Sequence, residues 1–425
     1  MEAIVERCCG IDVHSAELVV CVLLGPADRK PRKEIRRFPT FSRDLLELRD
    51  WLAELGVTHI AMESTGMYWK PVYAVFEGDF EVIVGNAHHI KNVPGRKTDV
   101  KDSEWIADLV RHGLIRASFV PPEPIRRLRD LLRYRRKLVQ ARTAERNRLL
   151  NVLEQANIKL ACVASDVFGV SGMRMLEAMS HGESDPRKLA ALALGRLRAK
   201  LDGLHLALDG GLDEHHRFML DIQLGRLRQL DDDLKRLHTK IEELLLPLQE
   251  KRELLTQIPG VGPLAAAIIL SEVGTDMSAF PSAHALTAWA GLAPGNHESA
   301  GKRLRGTTRK GNRSLLSILV ESAQAAARAK GSYFKDKFHR LRTRRGYKRA
   351  AVAIARKILI AVFHMLKNNA PFRELGEAYL DAKSKRRTVT HLKQRIERLG
   401  FDVTVKAKSL SPTAPPDPTQ QALFS

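Results

Sequence analysis

The first 113 residues alternate between short apolar segments that resemble β-strands and longer segments with helical spacing. Two apolar strands flank the polar stretch Asp12–Glu17, and further strands are predicted over Glu34–Pro39, Thr58–Met62 and Glu81–Val84. A helix is predicted after Ser42, where leucines recur every three or four residues. Strands that alternate with helices bury their apolar faces in layers, so we expect an α/β fold with helices packed on a sheet.

The remainder of the chain is predicted to be mainly helical. Pro121, Pro122 and Pro124 separate it from the first segment. Residues 125 to about 160 and residues 217–250 each predict one long helix, and the second carries leucines at the spacing of a coiled-coil seam. The two helices are expected to form an antiparallel stalk or a dimer interface.

Glycine and proline punctuation after residue 253 indicates a compact helical domain, whereas the proline-rich end of the chain indicates disorder. The predicted domains are an α/β catalytic domain (1–122), a helical coiled-coil connector (123–252), a second, mainly helical domain (253–382) and a partly disordered tail (383–425).

The chain is strongly basic, with 70 lysine and arginine residues against 49 aspartate and glutamate residues and a formal net charge of +21. Residues 125–150 contain ten basic and two acidic side chains, and residues 299–350 contain sixteen and two. The rest of the chain therefore has a net charge of −1. Such local concentrations of charge are typical of nucleic-acid binding, although ribosomal and membrane-surface proteins can be equally basic.

No segment predicts a secretion signal or a membrane span. Glu2 and Glu6 occupy the place where a signal peptide would be basic. The most apolar long segment, Ala350–Leu366, is short for a span and is interrupted by Arg356 and Lys357. We therefore expect a cytoplasmic protein without a membrane partner. The four cysteines lack the paired spacing of a zinc site.

Four carboxylates are predicted to meet at one edge of the sheet. Asp12 ends the first apolar strand and Glu63 ends a later one, and such strand ends collect ligands in α/β folds. Asp99 and Asp102 share one face near the start of a predicted helix. Carboxylates gathered in this way favour Mg²⁺ or Mn²⁺, and two such ions about 4 Å apart are the usual device for phosphodiester cleavage. For any one acid alone, a role as a cap or a turn residue is the better explanation, but the four together favour a metal site.

Three motifs in the same region resemble one family. CGIDVHSAELVVCVL, AMESTGMYW and NVPGRKTDVKDSEWIADL resemble motifs of the DEDD transposases of insertion sequences, which are bridge-RNA-guided recombinases. The resemblance implies an amino-terminal RuvC-like domain of RNase H-type fold. It also implies that Asp12, Glu63, Asp99 and Asp102 form the metal-binding tetrad, with Mg²⁺ or Mn²⁺ as the cofactor.

The second half of the chain resembles the serine-bearing domain of the same family. The motifs are IPGVGPLAAAIILSEVG and LTAWAGLAPGNHESAGKRLRGTTRKGNRSLL, so the likeness covers about residues 5–375. It implies that Ser299 is a nucleophile. Lys302, Arg303 and Arg305 follow closely and could stabilise the charge that develops when a hydroxyl attacks phosphorus. Without the family, such a serine would more simply contact phosphate or form a turn.

Nucleic-acid contacts are predicted on the long basic helix, on a glycine turn that resembles a helix-hairpin-helix, and on the basic loop after Ser299. The alternatives are a solvated helix face, a plain packing turn and a solvated loop. The residues predicted to bind nucleic acid are Arg126, Arg129, Arg133, Arg136, Lys137, Gly260, Gly262, Lys302, Arg303, Arg305, Arg309, Lys310 and Arg313.

The predicted function is that of an insertion-sequence transposase that cuts and exchanges DNA strands with a metal-dependent acidic site and a serine nucleophile. The resemblance further implies donor and target DNA, a non-coding bridge RNA that pairs with both, and a homo-oligomer of dimers that assemble into a tetramer. Two alternatives are a junction-specific endonuclease that uses water in place of the serine, and a non-catalytic nucleic-acid scaffold.

Overall fold

The computed structural model describes residues 3–64, 66–87, 90, 102–294, 297–299, 302–305, 308, 310–383 and 385–405. Two of the predicted functional residues, Asp99 and Arg309, lie outside these ranges. The chain folds as two compact units, Met1–Val120 and Pro121–Ser425. Each unit is described by itself.

The first unit is a mixed sheet with helices, as predicted, and the structure shows that helices cover both faces of the sheet. Its sheet has the strand order β3-β2-β1-β4-β5; β1, β2 and β3 form an antiparallel meander, and β4 and β5 run parallel to β1. The elements are β1 (Arg7–Val13), β2 (Glu17–Leu24), β3 (Arg32–Pro39), α1 (Ser42–Glu54), β4 (His59–Glu63), α2 (Trp69–Phe76), β5 (Glu81–Gly85) and α3 (Asp102–Arg111).

The two faces of the sheet bury alternate residues of β1. Cys9 and Ile11 face the core that α1 and α2 cover. Gly10 faces α3, where a Cβ atom would lie 2.3 Å from both the Ser103 carbonyl oxygen and the Ala107 nitrogen. Only glycine allows this approach of helix and strand, which brings the start of α3 to the end of β1.

The second unit is mainly helical, as predicted. Its helices are α4 (Glu123–Gln155), α5 (Leu160–Val163), α6 (Val170–Ser180), α7 (Pro186–Ala191), α8 (Leu201–Leu208), α9 (Glu214–Leu245), α10 (Gln249–Thr256), α11 (Pro263–Val273), α12 (Ala283–Trp289), α13 (Arg313–Ala326), α14 (Tyr333–Arg345), α15 (Tyr347–Asn368), α16 (Tyr379–Lys383) and α17 (Lys385–Glu397). Two 3₁₀ turns (Gly195–Lys200 and Leu246–Leu248) and a hairpin of β6 (His297–Ser299) and β7 (Lys302–Arg305) complete it.

The two longest helices, α4 and α9, run antiparallel. Leu132 near the start of α4 packs in one cluster with Ile241 near the end of α9. Leu149 near the end of α4 packs with Leu224 near the start of α9. Of the two predicted arrangements, an antiparallel stalk is therefore present within one chain.

The helix α15 is the centre of the remaining helical part, where α12, α13 and α14 pack around it. Within the predicted tail, Lys385–Glu397 forms α17, most of whose described side chains are exposed to solvent. In the part of the chain that the structure describes, no helix is both long enough and apolar enough to cross a membrane.

Candidate active site

Asp12 and Glu63 are brought together by the pairing of β1 with β4. These strands are parallel, and the register pairs Ile11 with Met62, so the next step along both strands places Asp12 beside Glu63. Both side chains follow the sheet alternation to the face that α3 covers, and both are half-buried.

Asp102 joins this edge because α3 begins there. Ser103, the next residue, is the one whose carbonyl oxygen presses on Gly10, two residues before Asp12. Asp102 is thus the first residue of a helix held against the end of β1. The structure brings three of the four predicted acids to one edge, and the fourth, Asp99, lies outside the described residues.

The pKa of the Asp12 carboxyl is raised at this edge, where it is half-buried and close to two other carboxylates. Burial raises the pKa most, and the negative charges of Asp102 and Glu63 raise it further, whereas the neighbouring His14 lowers it. The net result is a pKa above its ordinary value, so the ionised carboxylate is held in an unfavourable environment.

His14 contacts the acidic edge directly, and sequence analysis did not assign it a role. Its Nε2 lies 3.0 Å from Asp12 Oδ2, and its ring is largely exposed, at 58%. Since a carboxylate can only accept, Nε2–H donates this hydrogen bond. The one signal in the sequence was its place two residues after Asp12 at the same strand end.

The donor set at this edge suits a hard divalent cation, because it consists of carboxylate oxygens that repel one another. Among the described residues, no three His, Cys, Asp or Glu side chains form a ready-made metal site. Asp99, the fourth predicted ligand, is not among these residues.

Ser299 lies at the tip of the hairpin in the second unit. It is the last residue of β6, and its register partner is Lys302, the first residue of β7. At the base of the hairpin the chain is held by a close approach, since a Cβ atom on Gly311 would lie 2.3 Å from the Gly291 nitrogen. The predicted residues Arg303 and Arg305 lie on β7, opposite β6.

Two arginines of the predicted basic face contact a buried carboxylate, and of the two Arg129 is largely buried whereas Arg133 stays exposed. The fully buried Glu272 accepts two hydrogen bonds of 2.8 Å from the Arg133 guanidinium and one of 2.7 Å from Asn312 Nδ2. Arg129 donates to the carbonyl oxygens of Ser271 and Glu272, at 2.9 and 2.8 Å, and so caps the end of α11. Its burial lowers its pKa to about 10.

Most of the other predicted basic residues whose side chains the structure describes are exposed. Arg136 donates to the Ser317 hydroxyl at 2.9 Å and is otherwise exposed, whereas Arg126 is half-buried and donates to the Pro121 carbonyl at 2.9 Å. The remaining members whose side chains the structure describes are exposed, and these are Lys137, Lys310 and Arg313.

The predicted phosphate-binding turn is closely packed at one of its two glycines. Gly260 has a φ of +85°, and a Cβ atom there would lie 2.3 Å from the Ser322 carbonyl oxygen of α13. Its place in the fold is therefore explained by packing. Gly262 precedes α11, with open space where its Cβ would be.

A mixed sheet of this strand order, with carboxylates gathered at the ends of its parallel strands, is consistent with an RNase H-like nuclease domain. The chain matches two families of known proteins. Residues 9–158 match the IS110-type DEDD transposase family. Residues 252–339 match the family described as transposase IS116/IS110/IS902. The chain belongs to the DEDD-type transposases of insertion sequences and is an enzyme that acts on DNA.

Individual relatives agree with this family. The chain is 26% identical to the transposase of insertion sequence element IS1111A from Coxiella burnetii, over 76% of this chain and 81% of that protein. It is 29% identical to an uncharacterised protein of insertion element IS110 from Streptomyces coelicolor, over 65% and 72%. It is also 29% identical to a pilin gene-inverting protein of Moraxella bovis, over 34% and 47%.

Proposed function

We propose that this transposase cuts and rejoins DNA with a metal-dependent acidic site and a serine nucleophile. Asp12, Glu63, Asp99 and Asp102 would hold Mg²⁺ or Mn²⁺, and Ser299 would form a covalent bond to the DNA. The observation that carries the proposal is the shared edge of Asp12, Glu63 and Asp102, which come from two strands and one helix.

The acidic edge would bind the cation and the scissile phosphate. When bound, a divalent ion would polarise the phosphate and stabilise the charge that develops on its oxygens. The carboxylates of Asp12 and Glu63 supply negative charge for the ion. His14 orients Asp12 by donating a hydrogen bond to Oδ2, so that the other oxygen of the carboxylate is available.

The proposed covalent step conserves the phosphodiester. The Ser299 hydroxyl attacks the scissile phosphorus, a bond from Oγ to phosphorus forms, and the bond to one deoxyribose oxygen breaks. The serine proton passes to solvent, and the departing oxygen takes up a proton. A deoxyribose hydroxyl of the incoming strand then attacks the same phosphorus, which restores the diester and frees the serine. The facing strand β7 supports this role, because it carries Lys302, Arg303 and Arg305.

A covalent adduct tests the serine step. The full-length protein is incubated with Mg²⁺ and DNA that carries the insertion-sequence ends, and protein–DNA species that survive denaturant are measured. We expect an adduct with the parent and with Ser314→Ala, a nearby serine at the start of α13, and none with Ser299→Ala.

Two results of this experiment would favour other functions. Metal-dependent cleavage that leaves no adduct would indicate a junction-specific endonuclease that uses water. DNA binding without any cleavage, unchanged by Asp12→Ala, would indicate a non-catalytic scaffold.

Bridge RNA and a homo-oligomer complete the proposal. A guide that pairs with donor and target DNA would supply sequence specificity, while the protein would contact backbone and shape. The exposed cations Arg136, Lys137, Lys310 and Arg313 are suited to such contacts. Sequencing the RNA that co-purifies with the full-length protein tests the guide. Measurement of mass in solution, with and without nucleic acid, tests the proposed dimer and tetramer.

A further inference from the structure

The turn between α14 and α15 carries a group of cationic side chains that the proposed function does not use. We call it the turn patch, and its members are Arg342, Arg344, Arg345, Lys348 and Arg349. All five are exposed. No carboxylate in the described ranges forms an ion pair with any of them.

A neighbouring arginine, Arg340, differs from the members of the turn patch because carboxylates neutralise its charge. Arg340 lies on α14 two residues before the first member of the patch, and it forms ion pairs of 2.8 Å with both Asp336 and Asp381. The fold thus provides two carboxylates for Arg340 and none for the five cations that follow it. The turn patch is therefore a surface of uncompensated charge.

The patch is built on a rigid frame. Gly346 joins the two helices with a φ of +81°, a conformation that favours glycine. Its N–H donates to the Arg342 carbonyl at 2.9 Å, and the Ala350 N–H donates to the Gly346 carbonyl at 3.1 Å. Phe338 and Ala350 are buried on the inner sides of the two helices. The cations are thus held on the outside of a fixed turn.

Helix stability explains only part of the patch. Arg342, Arg344 and Arg345 lie in the last turn of α14, where cations complement the helix dipole. Lys348 and Arg349 lie in the first turn of α15, which contains no acidic residue. Positive charge at that end opposes the dipole, so these two residues disfavour the helix that carries them. A bound polyanion would reverse this effect.

We propose that the turn patch binds the phosphate backbone of duplex DNA without reading its sequence. This goes beyond the proposed function, since it adds a contact surface separate from the acidic edge and the hairpin. DNA is the partner because the family acts on it. The one aromatic ring within the patch, that of Tyr347, packs edge-on against Phe338 at 5.3 Å. The patch therefore presents positive charge for phosphate groups, and it lacks a free aromatic face among the described residues on which unpaired bases could stack.

The experiment measures the affinity of the full-length protein for duplex DNA in EDTA, so that no cleavage intervenes, at several salt concentrations. The logarithm of the association constant falls linearly with the logarithm of the salt concentration, and each lost phosphate contact makes this slope less steep by about 0.9. For Arg344→Gln/Arg345→Gln we expect a slope smaller by about 1.8. At about 0.1 M salt, binding should weaken roughly tenfold for each lost contact.

A matched control removes the same charge from the stalk. Lys235→Gln/Arg236→Gln on α9 removes two cations that pair with Asp232 and Asp233. We expect this control to keep the parental slope. An equal loss of slope in both variants would show a general charge effect and would overturn the proposal.

A second variant separates binding from folding. Lys348→Glu should raise the thermal unfolding temperature slightly, because an acid suits the start of α15, and yet it should weaken DNA binding. Unchanged DNA binding in both patch variants would overturn the proposal, even if strand cutting is intact. Weaker binding to an RNA duplex of the same length, with DNA binding unchanged, would also overturn it. The assay needs no cleavage, so failure of the serine or metal step would leave its outcome unaffected.

Discussion

Asp12 is the side chain on which the acidic edge depends, because it is half-buried and lies close to two further carboxylates. Burial and the charges of Asp102 and Glu63 raise its pKa, and only His14 opposes them. An ionised group whose pKa is raised in the folded state costs stability at neutral pH. The carboxylates at this edge therefore repel one another, and a bound cation would reduce this repulsion.

The first prediction concerns His14. His14→Ala removes the hydrogen bond to Asp12 Oδ2, so the carboxylate loses its orientation. Loss of a residue that orients a metal ligand usually weakens metal binding about 10- to 100-fold, and we expect an effect of this size here. Strand cutting measured across a range of Mg²⁺ concentrations should show a higher requirement for the ion. His14→Gln can still donate through its side-chain amide and is the matched control. Equal Mg²⁺ requirements in all three proteins would contradict this role.

Sequence analysis located the carboxylates but not their partners. Asp12 and Glu63 end apolar strands, and this pattern is local and visible in one sequence. The contact between His14 and Asp12 depends on side-chain orientation at the strand end. No pattern of residue types determines that orientation.

At the level of elements, Glu272 ties together three helices of the second unit. It lies near the end of α11, pairs with Arg133 of α4, and accepts from Asn312, which caps α13 through its own Oδ1. Burial alone would raise the pKa of this carboxyl, but hydrogen bonds from Arg133 and Asn312 outweigh it and hold the pKa below its ordinary value. The second strand of the hairpin that carries Ser299 ends at Arg305, seven residues before Asn312.

The second prediction follows from this buried pair. Glu272→Gln leaves Arg129 and Arg133 without their countercharge, and the expected loss in free energy of unfolding is about 3 kcal/mol or more. Chemical denaturation at pH 7 measures it. Arg127→Gln, which breaks an exposed pair with Glu123 at the start of α4, is the control and should cost less than about 1 kcal/mol.

The pH dependence of this difference has a definite sign. A carboxyl whose folded pKa is depressed contributes stability above its unfolded pKa and loses it as the pH falls through the folded value. The gap between parent and Glu272→Gln should therefore be constant at neutral pH and shrink below the ordinary glutamate pKa. A gap that widens in acid would contradict the assigned ionisation.

The elements themselves were largely predictable, because their patterns are local. The strands and the long helices follow from apolar spacing, whereas the choice between an antiparallel stalk and a dimer interface did not. The pairing of Arg133 with Glu272, 139 residues further along the chain, does not. The spacing of arginines on α4 indicated one basic face for nucleic acid. Tertiary packing instead turns Arg129 inward to cap another helix.

At the level of the whole molecule, the proposed metal-binding acids and the strongly basic segments lie in different parts of the chain. The three described acids of the proposed site lie in the unit Met1–Val120. Both strongly basic segments, residues 125–150 and 299–350, lie in the unit Pro121–Ser425. DNA affinity and metal-dependent cutting should therefore be separable by experiment.

The last prediction uses metal removal to separate them. In EDTA the parent should lose strand cutting and keep its affinity for duplex DNA to within about threefold, because phosphate contacts by lysine and arginine need no metal.

Without DNA, Mg²⁺ should raise the thermal unfolding temperature of the parent, since a ligand that binds only the folded state stabilises it. Asp12→Asn removes the repelled charge, so it should unfold at a higher temperature than the parent in EDTA and gain little from Mg²⁺. Asp108→Asn changes an exposed acid further along α3 and should respond to Mg²⁺ as the parent does. If Mg²⁺ shifts Asp12→Asn as much as the parent, the ion binds elsewhere and the acidic edge is not its site.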